Sequence, residues 1–250
     1  MRPDTHQQKH AEGRGRARQR TLLRVAAGVL LYVLGGALLH YVVAPEAAPP
    51  IEDYPQIGDL VVNERAGERV LFRRVPTEAN DTVAVIDVVL APQGAVPVAH
   101  RHEEVGERFE VLRGRVNVVV DGVQNQVGSG ESIDVAPGLG HALSNPGPDE
   151  ALVRVTMDPV GDLGLALVQV HGFLADGAEP PGWFRYSIQM LRFADRYDVH
   201  LAEAPVWAQR LAAFLVVPTA RLLGVESYYE KYSRHPRERG LDMPEAAALR

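Results

Sequence analysis

The chain has 250 residues, a length that favours one well-buried domain with appendages over two full domains. It contains no cysteine, which excludes disulfides and thiolate metal sites, so a bound metal must be held by nitrogen and oxygen ligands. The net charge is −6, and because residues 1–24 carry +5, the rest of the chain carries −11. That acidic balance argues against nucleic acid as a partner of the folded part.

An uncharged run of twenty residues, 25–44, follows the basic tail formed by residues 1–24. A helix needs about 20 apolar residues to span a bilayer, and the flank beyond the run is acidic. The positive-inside rule then predicts a single-pass protein of the cell membrane, with a cytoplasmic N-terminus and an extracytoplasmic remainder. Two alternatives stay open: a cleaved signal peptide, whose apolar region is usually about 7 to 15 residues, and a buried core helix.

A short proline-rich linker, residues 45–58, precedes a region that reads as β-structure, residues 59–159. Asp121-Gly122 between two valines is a strong hairpin signal. Short strands at this spacing without helices between them indicate an all-β sandwich or barrel. The predicted strand runs are 59–62, 70–75, 82–90, 109–120, 132–135 and 151–157.

Residues 160–234 have apolar residues at helical spacing, which predicts helices with a Gly-Pro break at 177–182. Residues 235–250 form a polar tail. The stretch 206–225 is amphipathic, although Pro218 inside it should kink the helix. Its apolar side is expected to pack on the barrel, on a second copy in a homodimer, or on the membrane surface. That side comprises Trp207, Leu211, Phe214, Leu215, Leu222 and Val225.

Two histidines, His100 and His102, lie two residues apart and point to the same side of an extended strand. Glu107 adds a carboxylate, and His141 follows a Pro-Gly turn as a fourth donor. Glu104 is a rival carboxylate, but its surroundings read as a turn, which favours Glu107. Three imidazoles and one carboxylate suit a first-row divalent ion with room left for water or substrate.

These two stretches resemble the two motifs of the cupin superfamily. The first motif fits in full from Gly94 to Gly114, with its histidines and glutamate at the family's spacings. The second fits from Gly130 to Asn145, except that Ala136 stands where the family usually has proline. The resemblance covers roughly residues 59–159 and implies a small antiparallel jelly-roll barrel. It also implies one divalent metal (Fe, Mn, Ni, Cu or Zn) in the barrel mouth, bound by His100, His102, Glu107 and His141.

Three functions are compatible with this reading. The first is a metal-dependent, dioxygenase-like oxidoreductase that acts on a small oxygen-rich molecule, and the second is a module that binds or senses a small ligand without turnover. The third is a structural role in an envelope assembly, since fold alone does not decide function.

Only Lys9 and Lys231 are lysines among 26 basic residues, a bias that favours a bacterial source.

Overall fold

A computed structural model describes residues 5–78, 80–96, 98–175 and 182–234 of the protein. Along the chain, a long N-terminal helix comes first, the strands of two antiparallel sheets follow, and a group of helices comes last. The predicted fold class is confirmed at this level: a mainly β cupin-type fold with helices added. The predicted polar tail, residues 235–250, and most of the predicted Gly-Pro break lie outside the described residues.

The N-terminal helix α1 (Thr5–Leu38) continues as a π-helical turn, Leu39–Val43. Its segment Arg18–Val43 has a mean hydropathy of 2.1 over its most apolar window, of which 6% is buried. The segment is therefore long and apolar enough to cross a membrane. A signal sequence would meet the same criterion, whereas the low burial argues against a core helix.

The β-structure consists of a six-stranded sheet in the order β1-β2-β3-β10-β5-β8 and a five-stranded sheet in the order β11-β4-β9-β6-β7. All neighbouring strands pair antiparallel. The strands are β1 (Leu60–Asn63), β2 (Glu68–Arg74), β3 (Ala84–Leu90), β4 (His100–Arg101), β5 (Gly106–Arg113), β6 (Arg115–Val120), β7 (Val123–Gly128), β8 (Ser132–Val135), β9 (His141–Ser144), β10 (Ala151–Asp158) and β11 (His200–Leu201).

Turn residues set the limits of several strands. Asp121 and Gly122 both have positive φ, 45° and 80°, as a two-residue hairpin turn between β6 and β7 requires. Gly114 has φ 83°, and it divides the predicted run 109–120 into β5 and β6, which belong to different sheets. Reading that run as one strand was therefore wrong, because a glycine in the left-handed region turns the chain.

Side chains from both sheets fill the barrel with one apolar cluster. In β5 the alternation of burial follows the strand period, with Glu107, Phe109 and Val111 inside and Arg108 and Glu110 outside. Helical residues join the same cluster, so the barrel and the helices share one core. Its members include Val70, Phe72, Val88, Phe109, Val111, Val116, Val118, Leu143, Val153, Val155, Leu165, Val168 and Phe193.

The C-terminal helices are α2 (Leu163–Ala175), α3 (Trp183–Tyr197), α4 (Val206–Leu222) and α5 (Glu230–Arg234). Between α3 and α4 the chain forms β11, which pairs with β4 at the edge of the five-stranded sheet. The helical region is thus joined to the barrel through backbone hydrogen bonds as well as through side-chain packing.

Helix α4 presents its apolar side to the outside. Trp207 is 70% exposed, Leu211 51% and Leu222 67%. The expectation that this side packs on the barrel is therefore wrong. The two other expected partners, a second copy and the membrane surface, stay open. The opposite side of α4 is the one that is buried, at Ala213, Val217 and Ala220.

The segment 45–58, predicted to be a linker, is held against the helices. Glu46 accepts hydrogen bonds from Arg192 and Ser227, and Tyr228 donates one to Asp53. Arg192 is fully buried, and the pairing with Glu46 offsets the cost of removing its charge from water. The connection between α1 and the barrel is consequently fixed on the C-terminal helices.

Candidate metal centre

The five-stranded sheet brings three histidines together. His100 lies in β4 directly opposite His141 in β9, and His102 follows immediately after β4. The rings are 4.5 to 5.5 Å apart between centroids, and one donor atom from each residue lies within 4.8 Å of the others. The three imidazoles could therefore hold one metal ion.

Glu107 approaches this cluster from the other sheet. Its Oε2 lies 2.8 Å from Nε2 of His141, and its Oε1 lies 4.0 Å from Nε2 of His102. It is buried because it alternates with Phe109 on the inner face of β5. Glu104 is exposed, which supports the choice of Glu107 over its rival. All four predicted ligands thus converge between the two sheets.

Each histidine has its Nδ1 fixed by a backbone carbonyl. His100 bonds to Val98 at 2.9 Å and His141 to Leu139 at 3.1 Å. His102 bonds to Asp198 at 2.8 Å. A carbonyl only accepts hydrogen bonds, so Nδ1 carries the proton and a neutral ring keeps its lone pair on Nε2. This is the arrangement found where histidine ligates a metal.

Two of these Nε2 atoms, in His102 and His141, are buried without a hydrogen-bond partner. Nε2 of His141 lies 2.8 Å from Oε2 of Glu107, but in the neutral ring the proton is on Nδ1, so Nε2 has no hydrogen to donate to the carboxylate. Buried polar atoms without partners are rare in folded proteins. A metal ion between the rings would satisfy both atoms, so the residues fit a metal.

The surroundings set the charge states that a metal requires. Burial, together with the nearby His141 and His102, lowers the pKa of His100 to about 3. Burial also lowers the pKa of His102. Burial would raise the pKa of Glu107, but contact with His141 and the charges of the other histidines outweigh it and lower that pKa to about 2. Near neutral pH the centre therefore offers neutral imidazoles in His100 and His102 and an ionised carboxylate. Burial lowers the pKa of His141, but the Glu107 carboxylate and the Leu139 carbonyl outweigh it and raise that pKa above its usual value, so a metal ion competes with a proton for this ring.

A tight turn positions His141. Gly138 has φ 84°, which favours glycine, and its N–H donates to the carbonyl of His102 at 2.6 Å. The turn before the second motif is therefore anchored to the backbone of the first. Ala136, where the resemblance departs from its pattern, accepts a turn hydrogen bond from Leu139 at 3.2 Å and does not displace His141.

The helical region contributes parts of the site that the sequence analysis missed. Asp198 orients His102 through its backbone carbonyl, and His200 lies beside the cluster because β11 pairs with β4. No pattern in the sequence places residues 198–201 next to β4. A cavity of about 340 Å³ lies between β4 and helices α2, α3 and α4, with His100 and His102 in its wall.

The family model for the cupin domain matches residues 86–157, the segment that contains all four candidate ligands. The chain carries a cupin domain. The model covers β3 to β10 almost in full, so it includes both motifs and the strands that join them.

Several solved structures match about a third of the chain at low sequence identity. A sugar phosphate isomerase of the cupin superfamily from Silicibacter pomeroyi is 23% identical, with a TM-score of 0.32 over 36% of this chain and 59% of its own. Oxalate oxidase in complex with glycolate is 26% identical, with a TM-score of 0.35 over 38% and 52%. A predicted oxalate decarboxylase from Thermotoga maritima is 16% identical, with a TM-score of 0.34 over 36% and 78%.

The cupin domain of this chain thus spans a little over half the length of the first two of these proteins. No curated protein matches the chain significantly. The cupin assignment rests on the family model and on the geometry of the centre.

Proposed function

We propose that this protein is a membrane-anchored cupin metalloprotein in which His100, His102, Glu107 and His141 bind one divalent ion. The observation that carries the proposal is the set of three imidazoles whose Nδ1 atoms are fixed by backbone carbonyls and of which one donor atom each lies within 4.8 Å of the others. With the carboxylate of Glu107, these donors suit Fe, Mn, Ni, Cu or Zn and leave coordination positions open.

The proposed activity is that of a metal-dependent oxidoreductase of the dioxygenase type. The ion would supply a Lewis acid and, if it is redox-active, a binding site for O₂. The chain itself orients the histidines, keeps Glu107 ionised and covers the centre with α2, α3 and α4, which limits the access of water.

A second function, the binding or sensing of a small ligand without turnover, is favoured by the lining of the cavity. Among the described residues that line it, none is Asp, Glu, Lys or Arg. Proton transfer in the cavity would thus depend on histidine, tyrosine or the metal-bound groups. A candidate ligand that binds without product formation, with and without O₂, would favour this function.

We also propose that α1 anchors the protein, with its N-terminus in the cytoplasm and the cupin domain outside. This is supported by the exposed apolar segment Arg18–Val43 and by the charge contrast between +5 in residues 1–24 and −11 in the remainder. A reporter that works only in the cytoplasm, fused after Arg250, should be inactive. An active reporter would contradict the proposed orientation.

The metal site is tested by metal analysis of the purified full chain in lipid nanodiscs. We expect one ion per chain, and His102→Ala should abolish stoichiometric binding while the barrel stays folded. Glu104→Ala is the matched control, because that carboxylate lies in the same loop but is exposed. A His102→Ala protein that retains one tightly bound ion per chain would show that the ligand set is wrong.

A further inference from the structure

The cavity over the metal centre has apolar walls. Its barrel side includes Val96 and Val98, α2 contributes Leu167 and Val170, and α3 and α4 contribute Met190 and Ala212. Its volume of about 340 Å³ falls in the range of small-molecule sites. Burial of a hydrocarbon group makes binding more favourable in proportion to its apolar area. These walls therefore favour a ligand with an apolar body.

Most polar side chains in the lining already have partners inside the protein. Gln209 bonds to Leu201 and Ala204, and Ser187 donates to Trp183. His171 pairs with Glu68. These groups have little hydrogen-bonding capacity left for a ligand.

Among the described residues that line the cavity, buried polar atoms without a partner are found only beside the metal centre. They are Nε2 of His102 and Nδ1 of His200, two lining residues that adjoin because β11 pairs with β4. A ligand that matches this cavity therefore has an apolar body and one polar end, and the polar end lies at the metal centre.

Helix α4 separates the cavity from an exposed apolar surface. Ala208 and Ala212 line the cavity, whereas Trp207, Leu211 and Leu215 on the same helix are 70%, 51% and 45% exposed. A helix with one exposed apolar side bearing a tryptophan has the features of a helix at a membrane interface.

Contacts with α1 place this surface at the membrane. Pro218 of α4 lies within 3.2 Å of where a Cβ on Gly36 would be, and Tyr32 bonds to Thr219 at 2.7 Å. Gly36 lies seven and Tyr32 eleven residues before Val43, so with a helical rise of 1.5 Å the two contacts lie about 10 and about 16 Å from the outer end of the apolar segment. The outer of the two contacts lies at a depth at which interfacial helices bury their apolar side.

We propose that the cavity takes an amphiphile from the membrane, an apolar chain or ring system with one oxygen-bearing end that reaches the metal. The proposal rests on the metal site and deepens it, and it replaces the small oxygen-rich molecule expected from the sequence. Helix α4 then has two roles: one side forms the wall of the cavity, and the other holds the cavity at the bilayer surface.

The ligand class is tested with a series of carboxylic acids that differ only in chain length: acetate, butanoate, hexanoate and octanoate. The full chain in phosphatidylcholine nanodiscs is loaded with Co²⁺, whose visible spectrum reports coordination of the carboxylate. We expect the affinity to rise about fourfold for each methylene that is buried. Ala212→Phe should abolish this rise by filling the cavity, with Co²⁺ binding unchanged.

Two outcomes separate the ligand class from the metal site. If the protein takes up no Co²⁺, the metal site itself is wrong. If Co²⁺ binds but the affinity is flat or falls along the series, the metal site stands and the amphiphile is overturned.

The membrane route is tested with dodecanoic acid dissolved in the vesicles that hold the full chain. The double variant Leu211→Gln with Leu215→Gln should lower occupancy at least fivefold at the same mole fraction of acid, and octanoate from water should still bind. Val123→Gln is the control, since this residue is also an exposed apolar side chain but lies on the β6–β7 hairpin. Unchanged occupancy in the double variant would overturn the membrane route.

Discussion

The strand side and the helix side of the metal centre contribute different things. Strands β4, β5 and β9, with His102 directly after β4, supply all four candidate donor atoms. The helical region supplies the backbone carbonyl that orients His102 and three walls of the cavity. In the proposed metal site the strand side would determine which ion binds, and the helix side would determine how His102 is held and what can reach the ion.

This difference means that the two sides respond differently to mutation. Loss of a donor atom on the strand side removes a bond to the ion, whereas a change on the helix side acts through orientation, packing or charge. The following four predictions test this difference at a donor atom, at a buried ion pair, at an orienting carbonyl and in the packing of the helices.

Removal of Glu107 should have the largest effect, because it takes away the only donor from the six-stranded sheet among the proposed ligands. Glu107→Ala should weaken metal binding by more than about 100-fold, since even partners outside the coordination sphere cost 10- to 100-fold. Glu110→Ala is the control, because that residue lies on the same strand with its side chain outside. Calorimetric metal titration measures both, and equal affinities would show that Glu107 is not a ligand.

The buried pair of His171 and Glu68 links α2 to β2 with an Nε2–Oε2 distance of 2.9 Å. Burial lowers the pKa of His171, but the Glu68 carboxylate and the Leu167 carbonyl outweigh it and raise that pKa above its usual value. The imidazolium form therefore stabilises the fold fully below pH 6.5, and this contribution is lost as the pH rises through the raised pKa.

His171→Gln should accordingly lower the free energy of unfolding by about 3 to 5 kcal/mol at pH 5.5, the usual cost of breaking a buried pair. The difference from the parent should shrink as the pH rises. Replacing both residues with leucine should restore most of the stability and remove this pH dependence. Denaturant unfolding of the metal-free full chain at several pH values measures the effect, and a pH-independent difference would contradict the pairing.

The orientation of His102 can be disturbed without touching a donor atom. Asp198 has φ 54°, a conformation that valine adopts only at a cost of about 1 to 2 kcal/mol. Asp198→Val should displace the carbonyl that accepts from His102 and weaken metal binding by about 10- to 100-fold. Asp198→Asn tolerates this conformation and is the control. If both variants bind metal like the parent, the helix side does not orient the ligand.

The two faces of the helical region should differ in their contribution to stability. Phe193 is fully buried in the shared core, so Phe193→Ala should cost about 3 to 5 kcal/mol. Phe214 is 36% exposed and stacks on Tyr41 with centroids 6.3 Å apart, so Phe214→Ala should cost only about 0.5 to 1.5 kcal/mol. Thermal unfolding in nanodiscs compares them, and equal losses would show that Phe214 is also part of a core.

The sequence by itself determined the local features of the protein. Alternation along residues 107–111 placed Glu107 inside, Asp121-Gly122 marked a hairpin, and the limits of β1, β2, β3, β8 and β10 followed within two residues from apolar runs and turn residues. These features depend on the two-residue period of a strand and on the φ that glycine allows, which neighbouring residues fix between themselves. The four candidate ligands were found for the same reason, because their residue types and spacing carry the chemistry.

Only the tertiary structure decided what the helices do. His102 and Asp198 are 96 residues apart in the sequence. Their contact uses a backbone carbonyl, which every residue has, so no residue type in the sequence indicates it. The sequence also did not show that Trp207 and Leu211 are exposed. An amphipathic pattern shows that a helix has an apolar side but not what covers that side. The partner of that side is set by where α1 crosses α4, a contact between segments about 180 residues apart.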